Sequence, residues 1–270
     1  VTAHLAGGQQ VADGIGEAFM MQVPMVITLV QRLGPATGSA TANAQGDIAM
    51  AENIVSGGYV LPMVCPPSIE ECASSAVHAV NIAETFRTPV ILFTEMSMVS
   101  GKRVVELSNI SLPKAVSREM YKGKPEEYRS YKFLNELDVP LFKPVGNAES
   151  QVRFTASTHD ENGNIAALTP KTRQNLTRLM LGKHLELFPK ADVDWQDGAE
   201  HLIITFGFTT YAAKEAVRNL RQKGKKVSRV ALRTLFPVLI DDLRQHLKGI
   251  RHVTVVEENQ TGIYRKVLMG

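Results

Sequence analysis

Apolar positions along the chain alternate between two periods. From Gln9 to Met21, the residues Val11, Ile15, Ala18 and Phe19 recur at helical spacing, and after Pro24 the run Met25-Val26-Ile27-Thr28-Leu29-Val30 is almost unbroken. A run of that kind predicts a strand buried on both faces, as in a parallel sheet. Gly, Pro, Ala and Thr then dominate from Gly34 to Gly46, which predicts a loop. Val60 to Val64 predicts a second strand, closed by Pro66-Pro67. Ser68 is placed to cap a helix running to Arg87, with Glu70 and Glu71 in its first turn. Ile69, Ala73, Ala76, Val77 and Val80 would form its inward face. Thr88-Pro89 ends that helix, and Val90 to Thr94 is the next strand. Strand, helix and strand joined by short connections predict a βαβ unit.

Between Ser97 and Gly198 the periodicity fades, and Pro113, Pro125, Pro140 and Pro144 interrupt a stretch dense in charge and aromatics. A structureless connection of that length is uncommon inside a compact domain. The segment is therefore expected to be an extended arm wrapping a neighbouring domain or subunit, with one helix over Lys171 to Phe188. Regular alternation returns at Glu200. Strands are predicted at Leu202–Phe206, Val227–Leu232 and Val253–Val256, and helices at Thr210–Lys223, Ile240–Leu247 and from Gly262 onward. Ala213, Ala216, Val217 and Leu220 are the expected inward positions of the first of these helices. The organisation expected is thus an α/β part over residues 1–98, an arm over 99–198 and a doubly wound module over 199–270, the last rather short to stand alone. The first helix opens with no strand before it, so the chain is expected to begin inside a domain.

Composition narrows the partners more than the fold. The 270 residues carry a formal net charge of +3, too small and dispersed to suggest nucleic acid. The dense basic cluster from Arg221 to Lys226 lies around Gly224, where a helix is expected to end and its dipole favours cations. No apolar run approaches the roughly 18 to 20 residues that span a bilayer, and the start lacks a signal peptide's order, so no membrane association is expected. Two cysteines, Cys65 and Cys72, make no disulfide framework and point to the reducing cytoplasm. They also fall short of the four thiolates of an iron–sulfur cluster and read as buried structural thiols. Neither a dinucleotide-binding glycine pattern, a P-loop nor a Gly-x-Ser-x-Gly elbow is present.

Three places carry candidate chemistry. Arg32 ends the first strand and opens the loop Gly34-Pro35-Ala36-Thr37-Gly38. Open α/β folds place ligands at the C-terminal edge of the sheet, and a guanidinium there can grip a carboxylate through two parallel hydrogen bonds. The alternative is a structural ion pair from Arg32 to Asp47 or Glu52. Gln45-Gly46-Asp47 closes the loop, with Asp47 either capping the next helix or holding the Arg32 loop from behind. His159-Asp160-Glu161 reads as a solvated turn rather than a metal site, because Asn162-Gly163-Asn164 marks a tight turn.

At this point the sequence resembles a known family. Arg32-Leu33-Gly34-Pro35-Ala36-Thr37-Gly38 followed by Gln45-Gly46-Asp47 is similar to the Arg-x-Gly-Pro-Ser-Thr-Gly…Gln-Gly-Asp signature of 2-oxoacid:ferredoxin oxidoreductase alpha subunits. Pro66-Ser68-Glu71-Cys72, Arg87-Thr88-Pro89-Val90-Ile91-Leu92, His159-Asp160-Glu161-Gly163 and Val255-Val256-Glu257-Glu258-Asn259-Gln260-Thr261-Gly262 agree in order. The resemblance implies the end of a pyrimidine-type thiamine-diphosphate-binding domain followed by a transketolase-C-like domain. It implies coenzyme A-dependent, reversible oxidative decarboxylation of a 2-oxoacid, 2-oxoglutarate favoured over pyruvate, with electrons passed to ferredoxin. A beta subunit of a hetero-oligomer would hold most of the thiamine diphosphate and its Mg, together with an iron–sulfur cluster. Carried over, Arg32 binds the substrate carboxylate, Gly34, Pro35, Ala36, Thr37 and Gly38 line the pocket, and Gln45 and Asp47 support it.

The departures are Ala36 for the family's Ser, Ser39-Ala40-Thr41 for a Leu/Met-Pro-Thr stretch, and Ala6-Gly7-Gly8-Gln9-Gln10 for Thr-Ser-Gly-Pro-Gly. The family's Tyr-Pro-Ile-Thr-Pro motif and the glutamate that activates the aminopyrimidine lie upstream of Val1, so catalysis is expected only in an assembly. Two further readings stand beside this one: a non-catalytic organising subunit of such a complex, and a transketolase or 2-oxoacid dehydrogenase beta-type subunit.

Overall fold

The apolar runs after Pro24 and Thr88 become the two long strands of a first sheet in this computed structural model, which describes residues 8–35, 38–106, 108, 110–134, 138–146, 148–179 and 184–270. Along the chain the elements are α1 (Gly8–Met20), β1 (Met25–Gln31), α2 (Ile48–Glu52), β2 (Met63–Val64), α3 (Cys72–Phe86), β3 (Pro89–Glu95), α4 (Met96–Ser100) and α5 (Pro170–Arg178). They continue with β4 (Asp192–Asp194), β5 (His201–Phe206), α6 (Thr209–Gln222), β6 (Val227–Leu232), β7 (Thr234–Phe236), α7 (Ile240–Gln245), β8 (His252–Val256) and α8 (Ile263–Met269).

Two four-stranded sheets result, ordered β1-β3-β2-β7 and β4-β6-β5-β8. β1, β3 and β2 run parallel, as do β6, β5 and β8. β7 and β4 are antiparallel additions at one edge of each. β4 precedes residue 199 in the chain yet joins the second sheet, and β7 follows it yet pairs with β2 in the first. One continuous core fills the space between the sheets, from Ile15, Phe19, Ile27, Leu29, Ile91 and Phe93 across to Leu202, Ile204, Phe206, Val230, Leu232, Leu235 and Tyr264.

Three expectations change. β1 is not buried on both faces: it alternates between buried and half-buried residues at the edge of its sheet among the described residues, while β3 is buried at every position but the half-buried Leu92 and β6 is buried throughout. The helix expected from Ser68 begins at Cys72, and its buried residues are Ser75, Ala79, Ile82 and Ala83, with Ala73 and Val80 exposed. In α6, Ala213 and Val217 are buried as expected but Ala216 is exposed and Thr210 takes its place.

The segment between α4 and α5 holds little regular structure and lies along the outside of α3. Asn81 bonds the backbone at Lys114 and Val116, and Arg118 forms a two-pronged ion pair with Glu84. Arg87, buried at the end of α3, donates to the carbonyls of Ser130 and Pro140 and lies 4.1 Å from the Phe142 ring centroid. The helix expected over Lys171 to Phe188 is shorter: α5, started by Pro170 and by a reciprocal Thr169–Thr172 cap, stops at Arg178, and Leu185–Leu187 forms a separate 3-10 turn.

Candidate functional site

Parallel strands end on one side of a sheet, and here the two sheets bring their C-terminal ends together. Gln31 closes β1, Glu95 closes β3, Phe206 closes β5, and Glu257-Glu258-Asn259 follows β8. The segment Asn43 to Asp47 runs between them. Gln45 is fully buried and ties three of these ends together. Its Nε2 donates to Glu95 Oε1 at 2.7 Å and to the Phe206 carbonyl at 3.0 Å, and its Oε1 accepts from the Glu258 amide at 2.8 Å. The Gln45 amide donates to the Glu258 carbonyl at 2.8 Å, and Asn259 Nδ2 reaches the Gln45 carbonyl. Asn43 Nδ2 bridges two carboxylates, Glu95 at 3.2 Å and Glu258 at 2.6 Å.

Glu95 itself is inaccessible to solvent, and the Phe208 amide donates to both of its oxygens at 3.1 Å. Burial raises its pKa; the hydrogen bonds from Gln45, Asn43 and Phe208 pull it back, and the charge of Glu258 adds to the rise. The turn after β8 is built to start a helix. Glu257 accepts from the amides of Tyr264 and Arg265, and Asn259 Oδ1 accepts from those of Thr261, Gly262 and Ile263.

Arg32 stands half-buried immediately past β1, at the mouth of this edge. Its loop is pinched at the base, where Leu33 donates to Ala42 and Ser39 donates to Leu33. Gly34 and Pro35 are exposed, and Gly38 takes a positive φ of 38° where any side chain would strike the Leu33 carbonyl. Ala36 and Thr37 lie outside the described residues. Asp47 occupies the position before α2 without a side-chain cap bond. Its backbone N–H donates to Gln31 Oε1 instead, and burial raises its carboxyl pKa while the Arg32 charge acts against that rise. Arg32, Gln45 and Asp47 therefore share one sheet edge.

The remaining candidates fall elsewhere. Asp160 accepts from the amides of Asn162 and Asn164, so the tight turn is present. His159 is not solvated as expected: it is 2% exposed and lies 3.9 Å from the Tyr131 ring centroid. Cys65 is buried and Cys72 half-buried, both as free thiols. Asn43, Glu95 and Phe208 went unnoticed in the sequence. The strand-end argument that singled out Arg32 applies equally to Glu95, an acid closing an apolar run.

Among the described residues there is no group of three or more His, Cys, Asp or Glu placed to hold a metal ion, and no helix long and apolar enough to cross a membrane. Comparison with known proteins adds the following. Residues 7–178 match the family model described as pyruvate flavodoxin/ferredoxin oxidoreductase, thiamine diphosphate-binding, and residues 199–269 match pyruvate:ferredoxin oxidoreductase core domain II. The 2-oxoglutarate synthase subunit KorA of Methanocaldococcus jannaschii is 31% identical over 261 residues, which are 94% of this chain and 68% of that subunit. The alpha subunit of a 2-oxoacid:ferredoxin oxidoreductase of Saccharolobus solfataricus is 26% identical over 97% of this chain and 42% of its own length. A solved structure, 2-oxoglutarate:ferredoxin oxidoreductase from Magnetococcus marinus with 2-oxoglutarate, coenzyme A and succinyl-CoA bound, superposes with a TM-score of 0.84 at 23% identity. It covers 99% of this chain, which spans about half (47%) of that one, and establishes the same α/β fold.

Proposed function

The chain belongs to the pyruvate flavodoxin/ferredoxin oxidoreductase family, among relatives named as KorA and alpha subunits of 2-oxoacid:ferredoxin oxidoreductases, and from that premise we propose that it acts as all or part of such an alpha subunit. The reaction proposed is coenzyme A-dependent, reversible oxidative decarboxylation of a 2-oxoacid, with 2-oxoglutarate favoured and ferredoxin as electron acceptor. Several relatives carry 2-oxoglutarate in their names, which supports that choice of substrate. The cytoplasm is the compartment proposed, in keeping with two free thiols.

The observation that carries the reading is Arg32 at the C-terminal sheet edge, beside a loop with a glycine-dependent turn and backed by Asp47. Thiamine diphosphate, when bound, supplies the electron sink that bond cleavage next to a ketone needs. The described residues do not fit its metal–diphosphate part. They hold no metal-ligating group of three, and the carboxylates of Glu95 and Glu257 are occupied by protein amides. We assign the diphosphate, its Mg and an iron–sulfur cluster to a beta subunit of a hetero-oligomer. This chain's own part is to orient the substrate. The Arg32 guanidinium takes the carboxylate as a fork, and the loop from Gly34 to Gly38, with Pro35, Ala36 and Thr37, lines the pocket. Gln45 and Asp47 fix that loop from behind.

Arg32→Ala in the assembled complex should raise KM for the 2-oxoacid by a factor equivalent to about 2–4 kcal/mol, the value of a charge-assisted two-pronged contact in a partly buried site. Arg32→Lys should recover only part of the loss, because a point charge cannot reproduce the fork. Steady-state 2-oxoacid- and coenzyme A-dependent viologen reduction measures both. An unchanged KM in Arg32→Ala removes the substrate role and leaves the chain an organising subunit.

A further inference from the structure

We infer that Glu95 is the positioning residue of the Arg32 loop, holding the Asn43–Asp47 segment against the ends of β5 and β8 so that the second sheet fixes how the first presents its cation. The inference rests on the substrate role of Arg32 proposed above. Among the described residues, the hydrogen-bond partners of the Glu95 carboxylate are all donors: Gln45 Nε2, Asn43 Nδ2 and the Phe208 N–H. A carboxylate accepts at both oxygens and donates at neither, and so matches that set. An amide at the same position would turn its NH2 group toward either Gln45 or Asn43, donor against donor. Glu95 is wholly buried and spends its acceptors on the protein, so it acts through these neighbours and does not touch substrate.

The consequence runs from β3 to the loop by short steps. Glu95 orients the Gln45 amide group, whose oxygen receives the Glu258 N–H, while the Gln45 backbone N–H returns to the Glu258 carbonyl. Asn43 links Glu95 to the Glu258 side chain and also accepts the Ser97 N–H, at the start of α4. Asn43 directly follows Ala42, the last residue of the pinch that also joins Leu33 and Ser39 and shapes the Arg32 loop. Four residues beyond Asn43 is Asp47, whose amide is held by Gln31, the last residue of the strand that leads into Arg32. The latch therefore grips the loop's returning limb and, through Gln31, its outgoing one. It also gives the second sheet a task at the site: the segments Phe206–Phe208 and Glu257–Asn259 are the surface against which the Asn43–Asp47 segment is set.

The test uses the assembled complex with Glu95→Gln, Glu95→Asp and Asn43→Ala. Two readouts are followed: hydrogen exchange at the amides of Gln45 and Asp47 without substrate, and the division of the kinetic effect between KM and kcat. Glu95→Gln should speed exchange at both amides and raise KM for the 2-oxoacid, each by about tenfold, with kcat changed by less than about threefold. Asn43→Ala, which removes one link and leaves the buried carboxylate satisfied by Gln45 and Phe208, should shift both readouts in the same direction by a smaller factor. Glu95→Asp should recover part of the KM. A purely structural Glu95 would lower the yield of active complex and leave KM and the two amides as they are in the complex that survives; that result overturns the inference. So does unchanged exchange in Asn43→Ala if Glu95→Gln does not assemble. The two proposals fail separately. If Arg32→Ala leaves KM unchanged while Glu95→Gln still frees the amides, the substrate assignment is lost and the latch stands.

Discussion

A methyl group on Gly207 would fall within the Glu95 carboxylate, and the residue sits at φ 57°, where side chains are strained. Both penalties meet at a buried carboxyl group that has nowhere to move, since Gln45, Asn43 and Phe208 already fix it. Gly207→Ala should therefore destabilise the protein by about 2–4 kcal/mol, combining backbone strain with a disturbed buried carboxylate. Gly46→Ala, one residue from Gln45 but with open space around its Cβ and an ordinary φ, should stay within about 0.5 kcal/mol. Denaturant midpoints of the two variants decide the matter: equal shifts would mean that the Glu95 contact exerts no control. At this scale the sequence was legible where chemistry and local turn signals coincide, as at Arg32 and its glycines. It was silent on Glu95, whose role depends on Phe208 and Glu258, 113 and 163 positions further along the chain.

Elements were legible in proportion to their length. The seven residues of β1 and β3, the six of β6 and the fourteen of α6 announce themselves by period, and the apolar run Val60–Val64 marks β2, whereas β4 and β7 have three residues each and no period to detect. In α3 the difficulty was different. Small and apolar residues surround the helix, so two stripes at helical spacing compete, and the arm lying against Asn81 and Glu84 decides which one faces the sheet. The arm's own docking predicts a pH dependence. His159 Nδ1 lies 2.8 Å from the Ser157 carbonyl, which requires a proton there, and Nε2 faces the Asn175 amide nitrogen, which requires a lone pair. The neutral ring fits and the cation does not. Burial holds its pKa below 6.5, the charges of Arg178 and Arg87 push the same way, and the Ser157 bond and Asp160 oppose them. Because the unfolded chain binds this proton more readily than the folded one, stability from His159 is fully present above about pH 6.5 and is lost as pH falls from there toward the depressed folded value. Melting temperatures across that range should decline for the natural protein. They should decline less steeply for His159→Phe, which keeps a ring against Tyr131 and cannot titrate; parallel slopes would assign the acid sensitivity to other groups.

The two sheets were expected as separate modules, and their strands are arranged so that neither is complete alone. β7 leaves the second set of strands to pair with β2, and β4 reaches the second sheet from the arm. Leu235 in β7 is fully buried in the core common to both sheets, and its carbonyl accepts the Tyr264 hydroxyl from α8 at 2.8 Å. Such an exchange is invisible to periodicity, because a three-residue strand carries no mark of the sheet it will join. It has an energetic consequence. Leu235→Ala removes apolar volume from a site that two sheets line, and should cost about 2–5 kcal/mol. If the shared core makes them one cooperative unit, slowly exchanging amides in β3 and in β6 should lose protection by the same factor, though only β7 has been altered. Loss confined to β3 would show that the sheets open independently. In that case the latch between Glu95 and Glu258 would hold together two bodies able to separate, instead of trimming the fit within one.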